Sequence, residues 1–227
     1  MRLSTAAVIP AHDEAATLAE TLDAMQLVPG LSCIFVVDDG SSDATAEIAR
    51  GFGAEVLSTP HAGKGHALRL GLIQAREQES PGALLLADAD LGSSAAHLAG
   101  LLAALNSRHP AVFAAFPPAA TQGGFGLVKK FSQRAILLRT GYAPCEPLSG
   151  QRALLASALE ALHRGIAPGF GAEVGMTLDL LSASIKPLEI PLPLRHRPTG
   201  RNLSGFAHRT RQGLDVARAL SGVRIPW

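Results

Sequence analysis

The chain has 227 residues, of which 47% are hydrophobic and 17% charged, enough apolar matter for one full core and too ordered a composition for a disordered chain. A formal net charge of +1 argues against a polyanion-coating protein and leaves no basis for a nucleic-acid partner. Cys33 and Cys145 stand in no metal-like spacing and build no disulfide framework. The N-terminus reaches Asp13 and Glu14 too soon for a signal-peptide core, and no run approaches the ~20 apolar residues of a membrane span. A single cytoplasmic domain is expected.

Up to residue 116 the chain alternates with a regular beat. Residues 6–10 are a short apolar run, and 15–27 follow a helical pattern with Leu18, Leu22 and Met25 on one face. Residues 33–37 form a second strand ending at Asp38, after which Ser42 or Asp43 is positioned to cap a helix reaching about Arg50. Residues 55–57 are a third strand, and Gly63-Lys64-Gly65 opens the next helix. The all-apolar run 83–87 suits a strand covered on both faces. A helix over 95–105 and a strand over 111–116 complete the series. Strands spaced by helices of this length predict right-handed β-α-β units and a parallel sheet.

Beyond Pro117 the rhythm changes. Helices are predicted over 127–139, 153–162, 175–184 and 203–220, the last packing through Phe206, Gly213, Ala217 and Leu220. An extended stretch is predicted at 144–150 and a proline-punctuated strand at 185–194. The expected architecture is α/β: a parallel nucleotide-binding half (1–116) and a mixed acceptor half (117–227) with a basic C-terminal helix. Charge is divided unequally between the regions. Residues 186–227 hold eight Lys/Arg against two acids, a net of +6, which leaves −5 on the rest. Such a tail either meets an anionic partner, such as ligand phosphates, an anionic membrane or the acidic body, or is a solvated face.

Ligands of an open parallel sheet bind outside the carboxyl ends of its strands, and here those ends carry chemistry. Asp88-Ala89-Asp90 follows an apolar strand. A hard divalent cation such as Mg²⁺ or Mn²⁺ takes carboxylate and diphosphate oxygens, which suits Asp90 as ligand while Asp88 faces a nucleoside. The plainer alternative is two acids that end a strand and cap the helix after Ser93-Ser94. In V-V-D-D-G-S-S-D-A-T at 36–45, Asp39 is placed to accept from a nucleobase N–H, or else lies at the surface of a simple strand-turn-helix.

These segments resemble the family 2-like nucleotide-sugar glycosyltransferases of the A-type fold. V-I-P-A-H-D-E-A-A-T-L at 8–18, V-V-D-D-G-S-S-D-A-T, G-K-G-H-A-L at 63–68 and L-A-D-A-D at 86–90 follow that family's order and spacing. P-L-S-G-Q-R-A at 147–153, G-F-G-A-E-V-G at 169–175 and L-R-H-R-P at 194–198 extend the likeness, which is closest in pattern to the glucosyl-phosphoglycerate synthases. The resemblance implies that Pro10, Ala11 and Glu14 line a nucleoside pocket with Asp39 on the base. Lys64 would meet the nucleotide, Asp88 and Ala89 its ribose or sugar-proximal side. Asp90 and His196 would hold the metal on the diphosphate of a UDP-sugar, with Asp90 thereby catalytic. Glu173 would be the other catalytic residue, reaching the donor sugar or the acceptor hydroxyl. Arg197 and Arg201, at the start of the basic tail, are expected over the donor.

Two departures bear on the acceptor and the turn. Position 13 is Asp where the family has Asn. The stretch between Arg134 and Pro147 is short and lacks the synthases' glycine-rich acceptor loop, so the expected acceptor is a phosphorylated or lipid-phosphate molecule rather than phosphoglycerate itself. The alternatives are a sugar-phosphate nucleotidyltransferase, against which the missing N-terminal glycine-rich loop speaks, and an inactive nucleotide-sugar-binding module.

Overall fold

A computed structural model describes residues 4–78, 81–116, 126–195 and 203–227, and of residues 203–211 the backbone alone. β1 (Thr5–Ala11), α1 (Leu18–Met25), β2 (Leu31–Asp38), α2 (Thr45–Gly51), β3 (Glu55–Ser58), α3 (Lys64–Gln78) and β4 (Ala83–Leu86) follow the predicted alternation. A 3-10 segment, Gly92–Leu98, leads into α4 (Ala99–Ala104), then β5 (Ala111–Ala115) and α5 (Gly126–Thr140). The remaining elements are β6 (Arg152–Leu155), α6 (Ala156–Leu159), α7 (Ala172–Ser182), β7 (Leu188–Pro191) and α8 (Leu203–Leu220).

The seven strands form one sheet in the order β3-β2-β1-β4-β6-β5-β7. Only β6 runs against its neighbours, pairing antiparallel with β4 and β5. Parallel register sets Pro10 beside Val37 and Ala11 beside Asp38, so the carboxyl ends of β1 and β2 finish together. All four residues of β4 are buried, as an apolar run covered on both faces requires.

Alternating side chains of each strand feed two cores. Ala7, Ile9 and Ala11 pack with Leu18, Leu22 and Leu98 on the side of α1 and α4. Ala6 and Val8 pack on the other side with Leu68 and Leu72 of α3 and Met176 and Leu180 of α7. A third cluster joins Ile136 of α5, Val174 and Leu178 of α7, and Val216 and Ala219 of α8.

Four expectations need correction. The helix predicted over 153–162 is strand β6 up to Leu155, and only a short α6 and a 3-10 turn follow. Its apolar run R-A-L-L lacks a helical period, and pairing between β4 and β5 overrides its helix-former content. The strand predicted over 185–194 shortens to β7. Neither Ser42 nor Asp43 caps α2. Asp43 instead accepts from the Thr45 amide two residues on (3.0 Å), closing a turn ahead of the helix. Among the described side chains of α8 the buried ones are Gln212, Asp215, Val216 and Ala219, whereas Ala217 is exposed; the Phe206 side chain lies outside the described residues.

Candidate active site at the carboxyl rim of the sheet

The rim begins with the turn after β1. Asp13 adopts φ +54°, a left-handed conformation that Asp and Asn tolerate better than other side chains, so Asp in place of Asn preserves the turn. Its Oδ1 accepts from the Ser42 amide (2.7 Å). That bond is the main cause holding its carboxyl below the ordinary range. The Glu14 amide donates to Thr45 Oγ1 (2.9 Å), and its Oε2 accepts from Thr17 Oγ1 (2.9 Å). Pro10 and Ala11 sit directly beside this turn.

Asp39, buried at the end of β2, uses both oxygens on the loop before α3. Oδ1 accepts from the Ala62 amide and Oδ2 from the Gly63 amide, each at 2.8 Å. His61 Nδ1 lies 3.0 Å from Oδ2. The His61 ring stacks on that of His12, with centroids 4.2 Å apart. Gly40 (φ +73°) allows this closure, because a Cβ there would stand 2.7 Å from the His61 backbone nitrogen. An ionised carboxylate has about four acceptor positions, so these bonds leave capacity for a ligand.

The loop then delivers Lys64 to the centre of the rim. Its Nζ lies 2.6 Å from Asp88 Oδ1 and 2.7 Å from Glu173 Oε1. Burial works against the ammonium, but the charges of Asp88 and Glu173 outweigh it and hold its pKa above the ordinary lysine range. Asp88 Oδ2 accepts from Gln151 Nε2 (2.6 Å). Gly150 makes this packing possible: a Cβ there would stand 2.6 Å from Asp88 Oδ1.

The antiparallel direction of β6 explains this meeting. Arg152 pairs with Leu86, so β6 starts where β4 ends, and Gln151 reaches the rim from the opposite chain direction. Arg152 itself is fully buried. It donates to the carbonyls of Ser149 and Glu173, each at 2.8 Å, and to Thr177 Oγ1 at 3.2 Å, with its Cζ 4.1 Å from the Phe113 ring centroid. Burial draws its pKa down to about 10 against the opposing charge of Glu173. Glu173, in the first turn of α7 and buried, is thus fixed by its side chain to Lys64 and by its carbonyl to Arg152.

The loop after β4 is fastened from α1. Buried Thr21 donates to the Ala89 carbonyl (2.8 Å) and accepts from the Gly92 amide (2.9 Å), holding half-buried Asp90 on a defined turn. The Arg195 amide donates to Ser94 Oγ (3.0 Å), which brings the chain after β7 alongside that loop. His196, Arg197 and Arg201 lie outside the described residues. Among the described residues no three His, Cys, Asp or Glu side chains cluster as a metal site. Asp90 offers the hard carboxylate oxygen that a divalent cation takes.

Residues 6–147, more than half the chain, match the family described as Glycosyl transferase family 2. The chain belongs to glycosyltransferase family 2. The glycosyltransferase AglJ of Haloferax volcanii is 28% identical over 197 residues, covering 84% of this chain and 63% of that protein. The chain therefore spans less than two thirds of that relative's length. The glucosyl-3-phosphoglycerate synthase of Mycobacterium tuberculosis, in complex with Mn²⁺, UDP and glucosyl-3-phosphoglycerate, is 26% identical with a TM-score of 0.73, over 98% of this chain and 81% of that one. Its complex with Mn²⁺, UDP-glucose and phosphoglyceric acid gives 25% identity and a TM-score of 0.75 over the same shares. The sheet and its flanking helices are the A-type glycosyltransferase fold. Family membership speaks against the nucleotidyltransferase alternative.

Lys64, Asp88 and Glu173, three of the family 2 positions expected from the sequence, meet directly. Asp39 and Asp90 occupy the turns after β2 and β4, on either side of β1 at the same rim. Gln151, Arg152 and the His12–His61 stack received no role from the sequence. Q-R-A stood inside a recognised motif, which was the available signal for the first two. Nothing in the spacing of His12 and His61 announces that they stack.

Proposed function

We propose that this family 2 chain transfers a glycosyl group from a UDP-sugar to a phosphorylated acceptor, small or lipid-borne. The observation that carries the reading is Lys64 held between Asp88 and Glu173 at the carboxyl rim. The synthase complexes with UDP, UDP-glucose and Mn²⁺ support the donor class. In the reaction the bond from the anomeric carbon to the diphosphate oxygen breaks, a bond to the acceptor oxygen forms, UDP leaves and the acceptor gives up a proton.

Asp39, with Pro10, Ala11 and Glu14, receives the uracil and its nucleoside. Asp88 and Ala89 border the ribose and the sugar-proximal phosphate, and Asp88 keeps its orientation through Gln151. Lys64 supplies a fixed positive charge beside the nucleotide, where charge develops on leaving-group departure. Glu173 points its carboxylate to the donor sugar or acceptor hydroxyl. Arg197 and Arg201 extend the donor contacts. Asp90 and His196 would hold a divalent cation, Mn²⁺ or Mg²⁺, which supplies Lewis-acid charge to the diphosphate when bound.

The test is UDP binding by calorimetry, with and without Mn²⁺, together with UDP release from UDP-glucose. Wild type should bind UDP more tightly with Mn²⁺ and release UDP slowly without acceptor. Glu173→Gln should bind UDP within about threefold of wild type and lose roughly 100-fold in turnover, the scale of a group acting mainly in the transition state. Failure to bind UDP with the metal present overturns the reading.

A further inference from the structure

Helix α5 presents two dissimilar faces. Ser132 and Ile136 are buried, and Ile136 packs with α7 and α8 in the third core cluster. The opposite face carries Leu127 (83% exposed), Phe131 (49%), Leu137 (43%) and Leu138 (85%). Leu127, Phe131 and Leu138, four and then seven residues apart, align in one stripe, and Leu137 flanks it. Scattered exposed apolar residues need no explanation, but three on one helical stripe do.

The charged residues of α5 are all of one sign. α5 contains Lys129, Lys130, Arg134 and Arg139 and no acid. Lys129 is paired with Glu146, and Arg139 donates to the Leu220 carbonyl at the end of α8. Exposed Lys130 and Arg134 make no ion pair among the described residues. They stand between the apolar side chains and, with Gln133, Leu137, Ala143 and Pro144, line a cleft of about 410 Å³.

We infer that the outer face of α5 docks on an anionic lipid bilayer. Its leucines and phenylalanine would enter the acyl boundary while Lys130 and Arg134 meet headgroup phosphates. Charge decides between possible occupants. A second copy of the chain related by a twofold axis would set this cationic patch against the same patch, whereas an anionic bilayer complements it. Apolar exposure and cationic charge coincide on α5. From the cleft the chain runs on through residues 145–150 to Gln151, which holds Asp88. The inference does not require the transfer chemistry, since vesicle binding needs neither donor nor metal.

The test is co-sedimentation with phosphatidylcholine vesicles, with and without 30% phosphatidylglycerol. Wild type should partition onto the anionic vesicles at least tenfold more strongly than onto the neutral ones, and less strongly as salt rises. Leu127→Ser/Phe131→Ser/Leu138→Ser should lose at least tenfold in partitioning, with circular dichroism and UDP binding unchanged. Lys130→Glu/Arg134→Glu should abolish the preference for phosphatidylglycerol. Partitioning of wild type at the neutral-vesicle level, or of the variants at the wild-type level, overturns the proposal. So does a wild-type dimer in analytical ultracentrifugation that the serine variant converts to monomer without vesicle binding by either.

Discussion

On the β1–β2 side of the rim, acids bind backbone. Asp38 accepts from the Ser41 amide, Asp39 from those of Ala62 and Gly63, and Asp13 from that of Ser42. Across β6, side chains carry the contacts from one secondary-structure element to another. Gln151 reaches Asp88, Arg152 reaches Thr177, and Arg224 closes a two-bond pair with Asp179, 2.9 Å on each arm. Glu189 of β7 gathers the amides of Cys145 and Glu146 and the Tyr142 hydroxyl. The first arrangement shapes loops and the second joins elements. Damage should therefore stay local on the nucleotide side and spread on the β6 side.

The largest effect is expected at Arg152. Replacement by Met leaves the carbonyls of Ser149 and Glu173 buried without their donor and should cost about 3 kcal/mol, read as a lowered urea midpoint from the fluorescence of Trp227, the only tryptophan. A loss under about 1 kcal/mol would break the comparison, since Arg152 would then not be joining anything. Next is Gly150→Ala, which drives a methyl into the Asp88 carboxylate. Displacement of a positioned group on this scale should lower kcat/KM by roughly 100-fold, with a much smaller change in the urea midpoint than Arg152→Met.

Asp39→Asn sharpens the contrast from the other side. It replaces one of two charge-assisted acceptors by a donor facing an amide, a cost of about 1.5 kcal/mol. Hydrogen exchange at Ala62 and Gly63 should quicken by roughly tenfold while the β6 amides keep their protection. Equal acceleration in both places would show that the nucleotide side is not self-contained.

The smallest effect concerns Tyr142, the only tyrosine in the chain. Burial first, and the Glu189 charge second, push its phenol above the ordinary range. A group whose native pKa is raised contributes stability that is full below its unfolded value of about 10 and is lost as pH climbs through the native value. Absorbance titration should find the phenol ionising later than in the unfolded chain. Glu189→Gln should move it only part of the way back, because burial persists; complete return would assign the whole shift to Glu189.

The same division governed what the sequence disclosed. From β1 to β5 each element announces itself by an apolar run, a turn signal and a following helix, and Asp39, Lys64 and Asp88 could be named because local motifs place them. Strand β6 was hidden, because R-A-L-L followed by alanines and leucines suits a helix until two neighbouring strands claim its backbone. Arg152 lies within P-L-S-G-Q-R-A, but nothing in the sequence marks it as buried, since arginine ordinarily stays at the surface. Asp215 stands among the basic residues of the C-terminal segment with nothing in the sequence to mark it, yet it is buried and accepts from the Phe170 amide (3.2 Å).

Gly65, one residue after Lys64, lies so close to the segment before Glu173 that a Cβ there would stand 2.2 Å from the Ala167 carbonyl oxygen and 2.9 Å from the Gly169 nitrogen. The two parts of the chain that hold the central cation and its carboxylate are thus joined without space for one methyl group. Rocking of one against the other is blocked at that joint. The relative placement of Lys64 and Glu173 is settled during folding, and an arriving donor meets it already made. Ordering entropy at this pair is not charged to substrate binding, and a hinge serving the reaction has to lie away from it.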